Sequence, residues 1–166
     1  VDRADVAQLL NVMIQSTGSW YFDESGNVNI ANNENLDKVF TVYKELVDNN
    51  IVALYNDSHG YNNALWSGTT AGVCQGCWVM STIKKGEDQS GNWALTNIPK
   101  VDGIDSATNY SNNGGGSWMV INKENAAVAK EFLAETFAGS VELYNEILPE
   151  TSAIATYLPA REAENY

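Results

Sequence analysis

The chain has 166 residues, 44% of them hydrophobic, a size that suits one domain burying roughly 70% of its unfolded surface. Its 21 acidic against 9 basic residues give a formal charge of −12, with the acids scattered and not gathered into a tail. Such a surface repels phosphate backbones and serves solubility, which argues against nucleic acid as a partner.

Taken in chain order, Val6, Leu9, Leu10, Met13 and Thr17 recur at three and four, predicting a helix over 3–16 that ends at Gly18. SWYF (19–22) and NVNI (27–30) flank DESG as a hairpin turning at Gly26. The spacing of Leu36, Val39, Phe40, Tyr43, Leu46 and Val47 predicts a helix over 34–48, capped by Asn33 and stopped at Asn49-Asn50. YNNALWS (61–67) reads as a short helix before Gly68, TTAGVCQ (69–75) as a strand, and WVMSTIKK (78–85) as a helix after the Gly76 turn. NWALTNIP (92–99) is predicted as a strand closed by Pro99, 101–116 as a long polar loop, and SWMVI (117–121) as a strand. Residues 123–138 are predicted helical with Ala129, Phe132, Leu133 and Phe137 inward, and 140–148 form a last helix ending at Pro149 before a polar tail. Helices alternating with strands place the chain in the α/β class.

No apolar run approaches the ~20 residues of a membrane span, and no basic n-region precedes an apolar h-region. The chain opens at VDRADVAQLL, already in helical pattern and without Met, as a processed protein or an excised fragment does. Abundant Asn, Gly, Ser, Thr, Tyr and Trp with few Lys and Arg suit an exported binder of polar ligands.

Both cysteines lie in SGTTAGVCQGCW (67–78) as Cys74-x-x-Cys77, a spacing used in thiol-redox and zinc sites. A structural zinc needs four N or S ligands, and only His59 and scattered carboxylates are available to complete one. A redox pair sits at a helix N-terminus with a small spacer, whereas bulky Trp78 follows Cys77 here. Cys74, in mid-strand, reads as a small inert residue; in an exported protein a local disulfide stays open. Trp78 stands where a strand becomes a helix, and either plugs the core or offers its face to a cleft. Trp66 and Trp93 follow core periodicity. Gly114, Gly115 and Gly116 in NNGGGSW form either a flexible loop or a bare backbone that a ligand can approach. They lack the flanking residues of a phosphate loop.

The order SG-TTAG-VCQ-GCW, NWALTNIP, GGGSWMVI-NKENAAVAKEFL resembles the extracellular solute-binding proteins of family 1, the maltose-binding-protein-like sugar receptors of ABC importers. In that family a small-residue strand leads into G-x-W, then come an lP-ending strand, a glycine-containing strand and an sKn-e-A-keFl helix. GSWYF…SGNVNI and the helix at 34–48 match as well, so the likeness covers nearly the whole chain. It departs at Gly72, where the family's Met usually stands, and at Cys77, often Pro. A full family member is over twice this length. The resemblance therefore implies a single domain over 1–166, the C-terminal lobe of a two-lobed periplasmic-binding-protein type II fold, with a small mixed sheet flanked by helices. The N-terminal lobe and the final C-terminal segment are expected outside it.

By the same resemblance, the function is to bind a carbohydrate, an oligosaccharide, in an inter-lobe cleft and present it to permease subunits, as a monomer with no cofactor and no catalytic residue. The location implied is extracytoplasmic, periplasmic or on the cell surface through a lipid anchor outside this segment. Trp78 matches the stacking tryptophan of G-x-W, Gly114–Gly116 the glycine strand facing the cleft, and Gln8 and Asn11 the first polar segment. Trp118 and Trp20 are secondary contacts, since alternation turns either one inward equally well. The alternatives are the same fold binding a non-sugar solute, or a carbohydrate-active enzyme. A glycoside hydrolase needs two carboxylates at a set separation, and no Asp or Glu lies in such a motif. A lectin-like module would be a β-sandwich, which the helical patterns oppose.

Overall fold

The computed structural model describes residues 2–3, 7–121 and 123–163. Val6 and the neighbouring part of the predicted first helix lie outside them. The chain divides into two compact units, one of Val1–Gly76 with Ile83–Gly114 and one of Cys77–Thr82 with Gly115–Tyr166.

In the first unit, strand β1 (Asp2–Arg3) is followed by helix α1 (Gln8–Ser16), so the predicted helix starts several residues later than expected. Ala7 precedes it in a left-handed conformation and offers no side-chain cap. Asp2, only 2% exposed, serves instead: its Oδ1 accepts from Leu9 N–H at 3.2 Å, meeting an orphan donor and the positive end of the helix dipole. Its Oδ2 accepts from the Tyr43 hydroxyl at 3.0 Å. Removal from water and the Asp2 carboxylate push the Tyr43 hydroxyl up to about 12.

Helix α2 (Glu34–Asp48) has the predicted bounds. The Asn33 side chain accepts from Leu36 N–H at 3.2 Å, and Glu34 and Asp37 favour the first turn. Leu36 and Val39 join Met13 and Ile14 of α1 in one core with Val101, Ile104 and Ala107. Burying Ile14 and Leu36 completely stabilises the unit by about 1.5–3 kcal/mol each. Phe40, predicted inward, is 40% exposed, and the buried residues of α2 are Leu36 and Val39. The predicted 19–30 hairpin is present as a single antiparallel bridge, Phe22 to Val28, turning at Gly26. The Asp23 carboxylate accepts from Ser25 N–H, Asn27 N–H and Asn27 Nδ2 across the turn. These hydrogen bonds, that of the Asn27 side chain first, hold it below the usual carboxylate range.

The stretch 101–113, expected to be a polar loop, is a strap on α1. Ser106 Oγ donates to Thr17 O at 2.7 Å, Thr108 N–H to Ser16 O at 2.7 Å and Ser111 Oγ to Val12 O at 2.8 Å. Carbonyls at the end of α1 thereby find donors, and the three-residue spacing of Val101, Ile104 and Ala107 turns their side chains into the core. Strand β2 (Leu54–Tyr55) pairs parallel with β1, Asp2 opposite Leu54. Helix α3 (Ser58–Trp66) is capped by Asp57, which accepts from Gly60 N–H at 2.8 Å, and buries Tyr61, Ala64 and Leu65.

Helix α4 (Val79–Ile83) is shorter than predicted, and a 3-10 turn follows at Glu87–Gln89. The second unit then holds α5 (Ala126–Glu135), α6 (Val141–Thr151) and α7 (Leu158–Arg161). Ser140 caps α6 through Leu143 N–H at 3.0 Å, and α6 runs through Pro149 instead of ending there. The predicted polar tail contains α7, and Ala155 and Ala160 pack with Tyr144 into a small core. The Tyr144 hydroxyl donates to Phe137 O at 2.7 Å. Helix α5 buries no residue fully, and Phe132, predicted inward, is 58% exposed.

Three predicted strands, 69–75, 92–99 and 117–121, are irregular. The sheet among the described residues is the β1–β2 pair alone, much smaller than the mixed sheet expected. The reason is physical: a strand's hydrogen bonds lie outside itself, so alternation without a partner edge makes no ladder. Leu95, Met119 and Ile121 accordingly remain more than four-fifths exposed.

Candidate functional site

The turn at Gly76 leads to Trp78. Gly76 N–H donates to Gln75 Oε1 at 2.9 Å, and Trp78 O accepts from Ser81 N–H at 3.2 Å and Ser81 Oγ at 2.8 Å. The indole is 39% exposed while Val79 beside it is buried. Trp78 is thus anchored by its neighbour and partly open to solvent. Cys74 and Cys77 are half-buried and unbonded. Burial raises the Cys74 thiol above its ordinary value, which keeps it protonated and unreactive. Among the described residues no cluster of three or more His, Cys, Asp or Glu is placed to hold a metal ion.

Gly114 and Gly115 have φ of 81° and 100°, a region that side chains other than glycine rarely enter. A Cβ on Gly115 or Gly116 would meet nothing within 4 Å, so backbone polar groups there are reachable. Gln8 opens α1 and accepts from Gln75 Nε2. Asn11, one turn on, accepts from the Tyr21 hydroxyl at 3.0 Å, and burial raises that hydroxyl's pKa. Trp20 packs on the first unit's core with its ring 4.7 Å from that of Tyr21. Trp118 is 68% exposed and tilts against Phe137 with ring centroids 4.9 Å apart.

The structure therefore brings Gln8, Asn11 and Trp20 around α1 in the first unit. It joins Gln8 to the root of the glycine run through Gln75 and Asn113, whose Nδ2 donates to Gln75 Oε1 at 2.5 Å. Trp78, Gly115, Gly116 and Trp118 belong to the second unit. Sequence reasoning passed over Gln75 and Asn113. Their signal was available: each is an amide directly before a glycine turn. An open depression in the second unit, lined by Ala138, Thr156, Tyr157, Leu158 and Pro159, contains none of the expected site residues.

The chemistry offered is neutral: indole faces, bare backbone and side-chain amides, with no Lys or Arg among them. It fits a ligand carrying hydroxyls and apolar C–H faces better than a phosphate or a metal ion. No helix among the described residues is long and apolar enough to cross a membrane.

Comparison with known proteins identifies the family. Residues 6–163 match the sequence profile of the family described as bacterial extracellular solute-binding protein. A lactose-binding protein of Rhizobium radiobacter is 38% identical over 159 residues, 95% of this chain and 37% of that protein. The chain thus spans little more than a third of the length of this relative. No solved structure gives a significant match. The ordered motifs and the match along nearly the whole chain place it in the bacterial extracellular solute-binding protein family.

Proposed function

We propose that this chain is the C-terminal lobe of a carbohydrate receptor serving an ABC importer, and that Trp78 is its main ligand contact. The observation that carries this reading is 38% identity to a lactose-binding protein across 95% of the chain, with Gly76 and Trp78 standing in the family's G-x-W. A pyranose has C–H faces that stack on an indole and a rim of hydroxyls that need both donors and acceptors. Trp78 supplies the first; Gln8, Asn11 and the backbone of Gly114–Gly116 supply the second, with Trp118 and Trp20 as secondary contacts.

In this reading the full protein adds a second lobe and a final segment, and its lobes have the mixed sheets of the type II binding fold. The irregular stretches 69–75, 92–99 and 117–121 take their strand partners there. Sugar binds between the lobes, and hinge closure presents the liganded form to permease subunits. The protein acts as a monomer outside the cytoplasm, either periplasmic or held at the cell surface by a lipid anchor beyond this segment, and performs no catalysis. The test is calorimetric titration of the full-length protein with lactose. Trp78→Ala should cost at least ~1 kcal/mol of affinity, and unchanged affinity removes Trp78 from the site.

A further inference from the structure

Three backbone segments far apart in sequence converge on one side-chain amide. Gln75 Oε1 accepts from Gly76 N–H at 2.9 Å and from Asn113 Nδ2 at 2.5 Å, while Gln75 Nε2 donates to Gln8 Oε1. All three amide side chains are half-buried. Their orientation follows from the one group whose chemistry cannot be reversed. A backbone N–H only donates, so Gly76 must meet the oxygen of Gln75, which leaves the nitrogen of Gln75 for Gln8. Gln8 then has to present its oxygen, and Asn113 its nitrogen. One fixed donor sets three side chains.

The position of this cluster matters as much as its geometry. Gly76 stands two residues before Trp78, and Asn113 directly precedes Gly114. The two segments of the first unit end at Gly76 and Gly114, so Gln75 holds the chain at both exits. We propose that Gln75 is a positioning residue for ligand recognition. It fixes the turn from which Trp78 departs and the root of the glycine run. It also orients Gln8 and Asn113 so that Gln8 Nε2 and Asn113 Oδ1, which no other described residue engages, stay available to ligand hydroxyls. A donor and an acceptor held in place complement a pair of hydroxyls without an ordering cost at binding. This rests on the reading of Trp78 and the glycine run as carbohydrate contacts.

The test uses the full-length protein, lactose as probe, and two variants. Gln75→Met keeps the length of the side chain and removes all three hydrogen bonds. Gln75→Glu keeps both acceptor bonds, from Gly76 N–H and Asn113 Nδ2, but draws Gln8 Nε2 to the new carboxylate and away from the ligand, so it restores the clamp only in part. Gln75→Met should bind lactose about tenfold more weakly, with faster hydrogen exchange at the Gly76 amide. Gln75→Glu should recover affinity to within about threefold, with slow exchange restored. Wild-type affinity in Gln75→Met, or no recovery in Gln75→Glu, overturns the proposal. Should Gln75→Met fail to fold, Asn113→Asp keeps the acceptor offered to the ligand and loses only the donor to Gln75; a several-fold loss supports the clamp and unchanged affinity overturns it. A wild-type protein that does not bind lactose tells against the carbohydrate reading instead. Gly76 exchange then decides the clamp by itself, and equally fast exchange in wild type and Gln75→Met overturns it.

Discussion

Asn33 is the residue on which the first unit should prove most sensitive at its surface. Its Oδ1 accepts from Leu36 N–H at 3.2 Å, and its Nδ2 donates to Asn29 O at 3.0 Å and to Ser19 Oγ at 2.9 Å. It therefore caps α2 and at the same time ties that cap to both ends of the 19–30 hairpin. Asn33→Ala loses the cap, worth ~1 kcal/mol, and two further bonds. Those two are partly exposed, so water recovers much of their value and they add about 1 kcal/mol together. The expected loss is about 2 kcal/mol. Asn33→Ser separates the contributions, because serine caps about as well as asparagine but cannot reach back to the hairpin. It should lose only about 1 kcal/mol. Urea unfolding followed by far-UV circular dichroism measures both, and the midpoint should fall while the slope is unchanged. A loss below about 0.5 kcal/mol for Asn33→Ala, or equal losses in the two variants, refutes the dual role.

Two further outcomes follow from particular residues. The hydroxyl of Tyr43 is raised to about 12 in the folded protein, first by removal from water and then by Asp2. The unfolded chain releases this proton near pH 10 while the folded chain keeps it. The contribution is thus fully present below pH 10 and is lost as pH rises toward 12, on the order of 1 kcal/mol after solvent screening. Urea midpoints should fall less steeply over that window in Tyr43→Phe than in wild type; parallel curves would falsify the assignment. At Gly139, between α5 and α6, a Cβ would stand 2.5 Å from the backbone oxygen of Ala134. A carbonyl at the end of α5 cannot yield as a side chain does, so Gly139→Ala should cost about 1–3 kcal/mol in thermal unfolding. An unchanged midpoint would show that the turn adjusts freely.

The sequence by itself determined the family and where most helices lie, though not α7 or the far end of α6. Leu36, Val39 and Leu46 repeat at helical spacing, and Asn33, Asp57 and Ser140 stand where caps are needed. A helix closes its hydrogen bonds within itself, so such local signals suffice. The motif order around Gly76 and Trp78 carried the family likewise, because it is a property of the chain and not of its packing. Tertiary structure alone decided the rest. Val101, Ile104 and Ala107 sit in a polar stretch and become core only because α1 offers Ser16 and Thr17 carbonyls to the strap beside them. The stretches 69–75, 92–99 and 117–121 show strand alternation yet form no ladder, since strand bonds require an edge supplied by another segment. The proposed site divides in the same way. Trp78 and the glycines were visible one residue at a time, whereas Gln75 acquires its meaning from Gln8 and Asn113, 67 and 38 residues away in sequence. Spacing along a chain reports what a segment can do alone; which distant amide meets which backbone N–H is settled only when the segments fold together.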